Sequence, residues 1–169
     1  LTRAGRVRTF IESLWITSGV HAGKRFKVRD WQWERIIKPL YETGADGLRL
    51  KRQALITMPR KQGKTAIAAA LALCHLCGPE AEPRGQVISA ASARDQATLL
   101  MRECVAFIRA DSKLAERIII REHSRTLEDT VTGSTFQVLP ADAKRAHGLS
   151  VSCAIMDEVG QWQKRDMYD

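Results

Sequence analysis

No stretch of this chain approaches the roughly 18 consecutive apolar residues that a membrane-spanning helix needs. Its first residues lack the charged-then-apolar pattern of a secretory leader. Internal repeats and low-complexity tracts are missing too. Cysteine is scarce, with four residues at Cys74, Cys77, Cys104 and Cys153. Cys74-x-x-Cys77 is half of a metal site, but no second Cys/His pair completes it. The four therefore read as reduced core thiols of an intracellular protein. Acidic residues are short in the first part of the chain. Residues 1–64 hold 15 Lys/Arg against 5 Asp/Glu, a balance of +10, whereas residues 65–169 hold 12 against 14, a balance of −2. What remains is a 169-residue chain with room for one domain and a proper core. It begins with Leu1 rather than Met, and the expectation is a trimmed piece of a longer protein.

Two short motifs carry chemistry. Met58-Pro-Arg-Lys-Gln-Gly-Lys-Thr65 reads as a phosphate-binding loop running into a helix. A helix N-terminus leaves its first N–H groups unpaired, and its dipole favours an anion there. Gly63 lets the backbone approach phosphates without a Cβ in the way. Lys64 is placed to reach the outer phosphates, and the Thr65 hydroxyl to ligate magnesium. One departure stands out: the position of the first glycine of G-x-x-x-x-G-K-[ST] holds Met58. Pro59 stiffens the approach, and Arg60 and Lys61 add positive charge. The second motif is Val151-Ser-Cys-Ala-Ile-Met-Asp-Glu158. Its apolar run is expected as a central parallel strand buried on both faces. Asp157 would sit at the strand's C-terminal end, where ligands bind in open α/β sheets, and hold magnesium directly or through water. Glu158 would orient and deprotonate the attacking water.

The flanking sequence supplies the setting. Gln53-Ala-Leu-Ile-Thr57 reads as a buried strand before the loop. Residues 65–77 read as a helix that Gly78-Pro79 ends. Residues 7–15 read as a short helix and 26–28 as a brief extended piece. Asp30 is expected to cap a helix through about Tyr41. Residues 44–47 form a turn, 78–85 a loop, 86–90 a second core strand, and 93–109 an amphipathic helix. Residues 113–126 give no clear pattern, and 130–139 look like a hairpin turning near Gly133. Strands alternating with helices imply an α/β fold, with a mainly parallel central sheet, flanking helices and a β-hairpin insertion.

Part of the basic excess serves a triphosphate. The rest, at Arg3, Arg6, Arg8, Lys24, Arg25, Lys27, Arg29, Arg49, Lys51 and Arg52, suits a polyanion such as nucleic acid, or an acidic neighbouring subunit, or a solvated face.

Trp31-Gln32 opening a helix, the basic loop at 59–65, Ile88-Ser-Ala-Ala-Ser-Ala-Arg-Asp-Gln-Ala97, and His147-Gly-Leu149 ahead of Asp157-Glu158 form a pattern. It resembles the ATPase domain of the large terminase subunit of tailed bacteriophages. The resemblance covers nearly the whole chain and implies a P-loop NTPase fold of the ASCE/RecA-like kind. It implies an ATP- and Mg2+-dependent motor that packages double-stranded DNA into a procapsid in the cytoplasm of a bacterial host. Implied partners are other terminase subunits in a ring, the portal and the small terminase subunit. Gln32 resembles the family's adenine-reading glutamine, whose amide can pair with the N6 and N7 edge. Arg60 matches the family's basic loop residue beside the terminal phosphate, with Lys61, Gln62, Gly63, Lys64 and Thr65 completing the cradle. Arg145, or Lys144, is the candidate finger offered to a neighbour's ATP. The family's downstream coupling strand and its acidic nuclease residues are not in these residues. Residues 1–169 are thus expected to be an N-terminal ATPase domain without nuclease activity. A helicase or other P-loop translocase, and a nucleotide-gated DNA-binding or assembly module, remain the alternative readings.

Overall fold

The computed structural model describes residues 1–59, 61–91, 94–139 and 149–157. The chain divides into two compact units, Leu1–Lys64 and Thr65–Asp169.

In the first unit, helix α1 (Arg3–Ser13) starts earlier than the apolar pattern predicts, because Thr2 caps it. The Thr2 Oγ1 accepts the Gly5 N–H at 3.1 Å. Ala4, Val7 and Ile11 bury one face. The chain then doubles back in a hairpin: Phe26 N–H donates to Leu14 O and Ile16 N–H to Lys24 O, each at 2.8 Å. The returning arm is the extended piece expected at 26–28, with Phe26 and Val28 buried. A second helix follows as α2 (Asp30–Gln32), a π-helical turn at Trp33–Ile37, and α3 (Lys38–Leu40). The change of register precedes Pro39, which has no N–H to continue the ladder. Asp30 is not the cap. Arg29 holds that position, and Asp30 is the first helical residue. Its charge still favours the helix N-terminus. The turn at 44–47 forms as expected, with Gly47 at φ 75.

The second unit carries the sheet. Its elements are α4 (Lys64–Leu76), which opens at the unit boundary, then β1 (Gln86–Ala91), α5 (Arg94–Ala110), α6 (Ser112–Arg117), β2 (Ile118–Arg121), β3 (Thr126–Asp129), β4 (Thr135–Leu139) and β5 (Val151–Asp157). The strand order is β2-β3-β4-β1-β5. β1 runs parallel to β4 and β5, while β2–β3 and β3–β4 are antiparallel. The sheet is therefore mixed, not mainly parallel. The expected hairpin turns at Gly133, φ 72, but its first arm is β3 rather than residues 130–132. Residues 113–126, without a clear pattern in sequence, form α6 and the start of this antiparallel ladder.

Two strand expectations are corrected. β5 is parallel, yet it pairs with β1 alone among the described residues, and every position along it keeps some exposure. The strand buried on both faces is β1, between β4 and β5. Residues 53–57 form no strand. A strand exists by its ladder rather than its propensity, and no described residue pairs with this segment. Leu55 is 87% exposed there.

Candidate active site

The phosphate loop has an unusual backbone. Lys61 has φ 63 and Gly63 φ 78, both left-handed. Glycine takes that conformation freely, but lysine does so at a cost. Turns of this hand gather successive N–H groups into an anion-binding concavity. A Cβ built on Gly63 would meet nothing within 4 Å, so the space before the loop is open. Lys64 begins α4 directly, without an intervening residue, and Lys64 and Thr65 are half-buried in its first turn. The helix body is apolar, with nine of its 13 residues buried. Helix α4 thus starts next to where the sequence predicts, even though the expected strand before the loop does not form.

Gln32 is buried, and its Oε1 accepts the Arg29 N–H at 2.9 Å. The amide thereby supplies one half of a capping box, closing the N-cap N–H; Arg29, whose side chain has only donors, cannot supply the other. One lone pair of Oε1 and the Nε2 amino group are left over for a base edge. Sequence reasoning missed this capping role, although Gln at the third helical position is its usual signature.

Asp157 ends β5, opposite Ala91 at the C-terminal end of β1. Gln32, Lys61, Gln62, Gly63 and Lys64 belong to the first unit, and Thr65 and Asp157 to the second. Arg60, Lys144, Arg145, His147 and Glu158 lie outside the described residues.

The donor chemistry suits magnesium. Thr65 offers a hydroxyl and Asp157 a carboxylate, both hard oxygens. That ion typically takes one or two carboxylates and fills its remaining positions with water and phosphate oxygens. No group of three or more His, Cys, Asp or Glu that could hold a metal occurs among the described residues.

Three of the four cysteines are core thiols, whereas Cys153, expected in the core as well, is partly exposed. Cys74, Cys77 and Cys104 are free and buried. Burial raises all three pKa values, that of Cys77 to about 12. The Cys77 Sγ–H donates to Leu73 O and that of Cys104 to Ala69 O.

A left-handed basic loop of one unit, running into a helix, and a carboxylate at the C-terminal end of a parallel strand in the other, are each features of nucleotide-binding α/β proteins. Residues 33–169 match the family described as terminase large subunit, ATPase domain. The chain is 33% identical over 162 residues to the large terminase subunit of Enterobacteria phage HK97, covering 95% of this chain and 31% of that protein. It matches the crystal structure of the HK97 large terminase with a TM-score of 0.82 at 31% identity, covering 95% of this chain and 32% of that one. The ATPase domain of the Thermus phage P74-26 large terminase is similar in fold, with a TM-score of 0.50 at 19% identity over 78% of this chain and 58% of that one. The chain belongs to the terminase large subunit ATPase family. Membership implies nucleotide binding and ATP hydrolysis, and none of these likenesses is to a helicase. The chain spans about a third of the length of the HK97 protein. No helix among the described residues is long and apolar enough to cross a membrane.

Proposed function

We propose that this chain is the ATPase part of a terminase large subunit, and that its magnesium-dependent hydrolysis of ATP drives viral double-stranded DNA into a procapsid. The observation that carries the reading is the loop itself: left-handed turns at Lys61 and Gly63 running directly into a long helix, in a chain of this family. The loop N–H groups and the start of α4 hold the phosphates, and Lys64 offsets charge on the outer two. Arg60, Lys61 and Gln62 surround the same anion. Gln32 holds the adenine edge. Thr65 and Asp157 hold magnesium, which when bound neutralises charge on the phosphate oxygens. Glu158 orients the attacking water and takes its proton. Arg145, or Lys144, is supplied to a neighbouring copy's ATP, where a finger in trans raises rates by about 10³–10⁵-fold. The reading places the chain in a ring with other copies, on the portal and with the small subunit, in the host cytoplasm.

Two measurements test it. Glu158→Gln should leave ATP binding nearly intact and abolish hydrolysis; equal loss of both would remove Glu158 as the base. Dilute chain should hydrolyse ATP slowly even with magnesium, because the finger comes from a neighbour. Fast turnover by a dilute monomer would contradict the trans finger.

A further inference from the structure

The first unit carries far more positive charge than its phosphate loop requires. Residues 1–64 have a balance of +10, and only Arg60, Lys61 and Lys64 of their 15 basic residues lie in that loop. The surplus includes one ordered ridge. In Lys24-Arg-Phe-Lys-Val-Arg29, the returning arm of the hairpin, four of six residues are cationic. Phe26 and Val28 are buried, while Lys24, Arg25, Lys27 and Arg29 are exposed. From Arg25 to Arg29 the alternation follows from the period of extended backbone, in which successive side chains face opposite ways.

The ridge is held along its length. Phe26 N–H donates to Leu14 O at 2.8 Å, Val28 N–H to Glu12 Oε1 at 3.3 Å, and Arg29 N–H to Gln32 Oε1 at 2.9 Å. Arg25 is committed to the fold: its guanidinium lies 3.7 Å from the Trp15 ring centroid and donates to Ser13 O. Lys24, Lys27 and Arg29 make no ion pair with any described residue. Among the acids of this unit, Glu34 pairs with Lys38, Asp46 accepts the Leu48 N–H, and Glu12 pairs with Arg8 while also accepting the Val28 N–H between Lys27 and Arg29. Asp30, beside Arg29 in sequence, and the Glu12 carboxylate at the Val28 N–H offset part of the ridge charge.

We infer that the ridge at Lys24, Lys27 and Arg29 is a docking surface for the phosphate backbone of duplex DNA. The inference rests on the packaging reading above and assigns it a contact surface. Three features favour DNA over an acidic protein. The cations stand on rigid backbone, so little side-chain support must be ordered on binding. Lys27 and Arg29 are alternate residues of the extended arm and so stand about 6.6–6.8 Å apart along it, a spacing suited to a polymer of regularly spaced charge. The ridge presents cations with no exposed aromatic among them, the composition of a phosphate contact rather than of base stacking or a protein hot spot.

The test is fluorescence anisotropy of the 169-residue chain with a labelled duplex of roughly 30 base pairs across a salt series. Lys24→Ala/Lys27→Ala/Arg29→Ala should weaken binding by at least about tenfold near 0.1 M salt and lower the salt slope by roughly 0.9 per lost contact. Lys51→Ala/Arg52→Ala, off the ridge, should change it less. Should the triple variant lose its melting transition, Lys24→Gln and Lys27→Gln singly give the same reading, each lowering the slope by about one. Wild-type chain that binds no duplex would sink the DNA reading itself. Wild-type binding left unchanged by the ridge variants would overturn the inference alone. Equal affinity for polyglutamate, lost in the same variants, would overturn it in favour of an acidic protein partner.

Discussion

Gln32 has a role in the fold beside the adenine contact proposed for it. Its Oε1 accepts the Arg29 N–H and closes the start of the helix, and the proposed function assigns its amino group to adenine. The two roles are separable. Gln32→Glu keeps the acceptor that the Arg29 N–H needs but removes the donor for adenine N7. We expect an unchanged melting temperature and ATP affinity down about tenfold. Gln32→Ala should also lose about 1 kcal/mol of stability. Affinity lost in the alanine variant but kept in the glutamate variant would assign Gln32 to the fold alone. The thiols are a plainer case. Cys74, Cys77 and Cys104 are buried, and burial raises their pKa values. Thiolates are the reactive form, so a thiol reagent at pH 8 should modify these three only as fast as the protein unfolds. Prompt modification of more than one thiol per chain would contradict the core packing, since only Cys153 is partly exposed. Their core role was readable from an Ala- and Leu-rich helix; the left-handed Lys61 was not, because lysine carries no turn signature.

At the scale of elements, one buried carboxylate ties the antiparallel ladder together. Asp129 ends β3 with its side chain fully buried. It accepts two bonds from Arg117 at 2.5 and 2.7 Å, one from the Thr132 hydroxyl at 2.6 Å, and the Val131 and Thr132 N–H groups. Burial alone raises its pKa, but the bonds from Arg117, Thr132 and Val131 outweigh it and hold the carboxyl at about 2, below its ordinary 3.8. With the folded value below the unfolded one, this stabilisation is complete above about pH 4 and is lost as pH falls towards 2. The shift corresponds to about 2 kcal/mol. Urea unfolding followed between pH 5 and 2 should show that loss, and Asp129→Asn should start lower and lack this component. A profile unaltered by the substitution would remove the Arg117 pair as its source. Sequence gave little warning of this ladder. Residues 113–126 mix charge with three isoleucines, and neither helical nor strand periodicity wins until β3 and β4 supply partners. The helices were easier: α4 and α5 carry long apolar faces that helical spacing alone reveals.

For the whole molecule, the division at Lys64 cuts between a basic first unit and a mildly acidic second one. The stretch at 50–57 is exposed and outside regular structure, with Lys51 and Arg52 within it. Irregular exposed backbone is where proteases enter. Limited trypsin digestion should therefore cut first after Lys51 or Arg52; early cleavage within α4 or α5 instead would show that this stretch is protected in solution. The site residues proposed at the loop, Thr65 and Asp157 are a reading of the sequence, to which the structure adds the left-handed turns at Lys61 and Gly63 and the end of β5 at Asp157. Anion binding at a helix start and metal binding at a strand end depend on local residue order, which a sequence displays directly. The sequence by itself thus determined the loop–helix unit, the carboxylate at the strand end, the two core helices and the basic first part. Only the tertiary structure decided that β1 rather than β5 is the buried strand, that the sheet is mixed, that residues 53–57 remain outside its ladder, and that Gln32 caps its own helix. The reason is physical: periodicity and propensity belong to a segment, whereas pairing, burial and hydrogen-bond partnership belong to whatever the fold brings beside it.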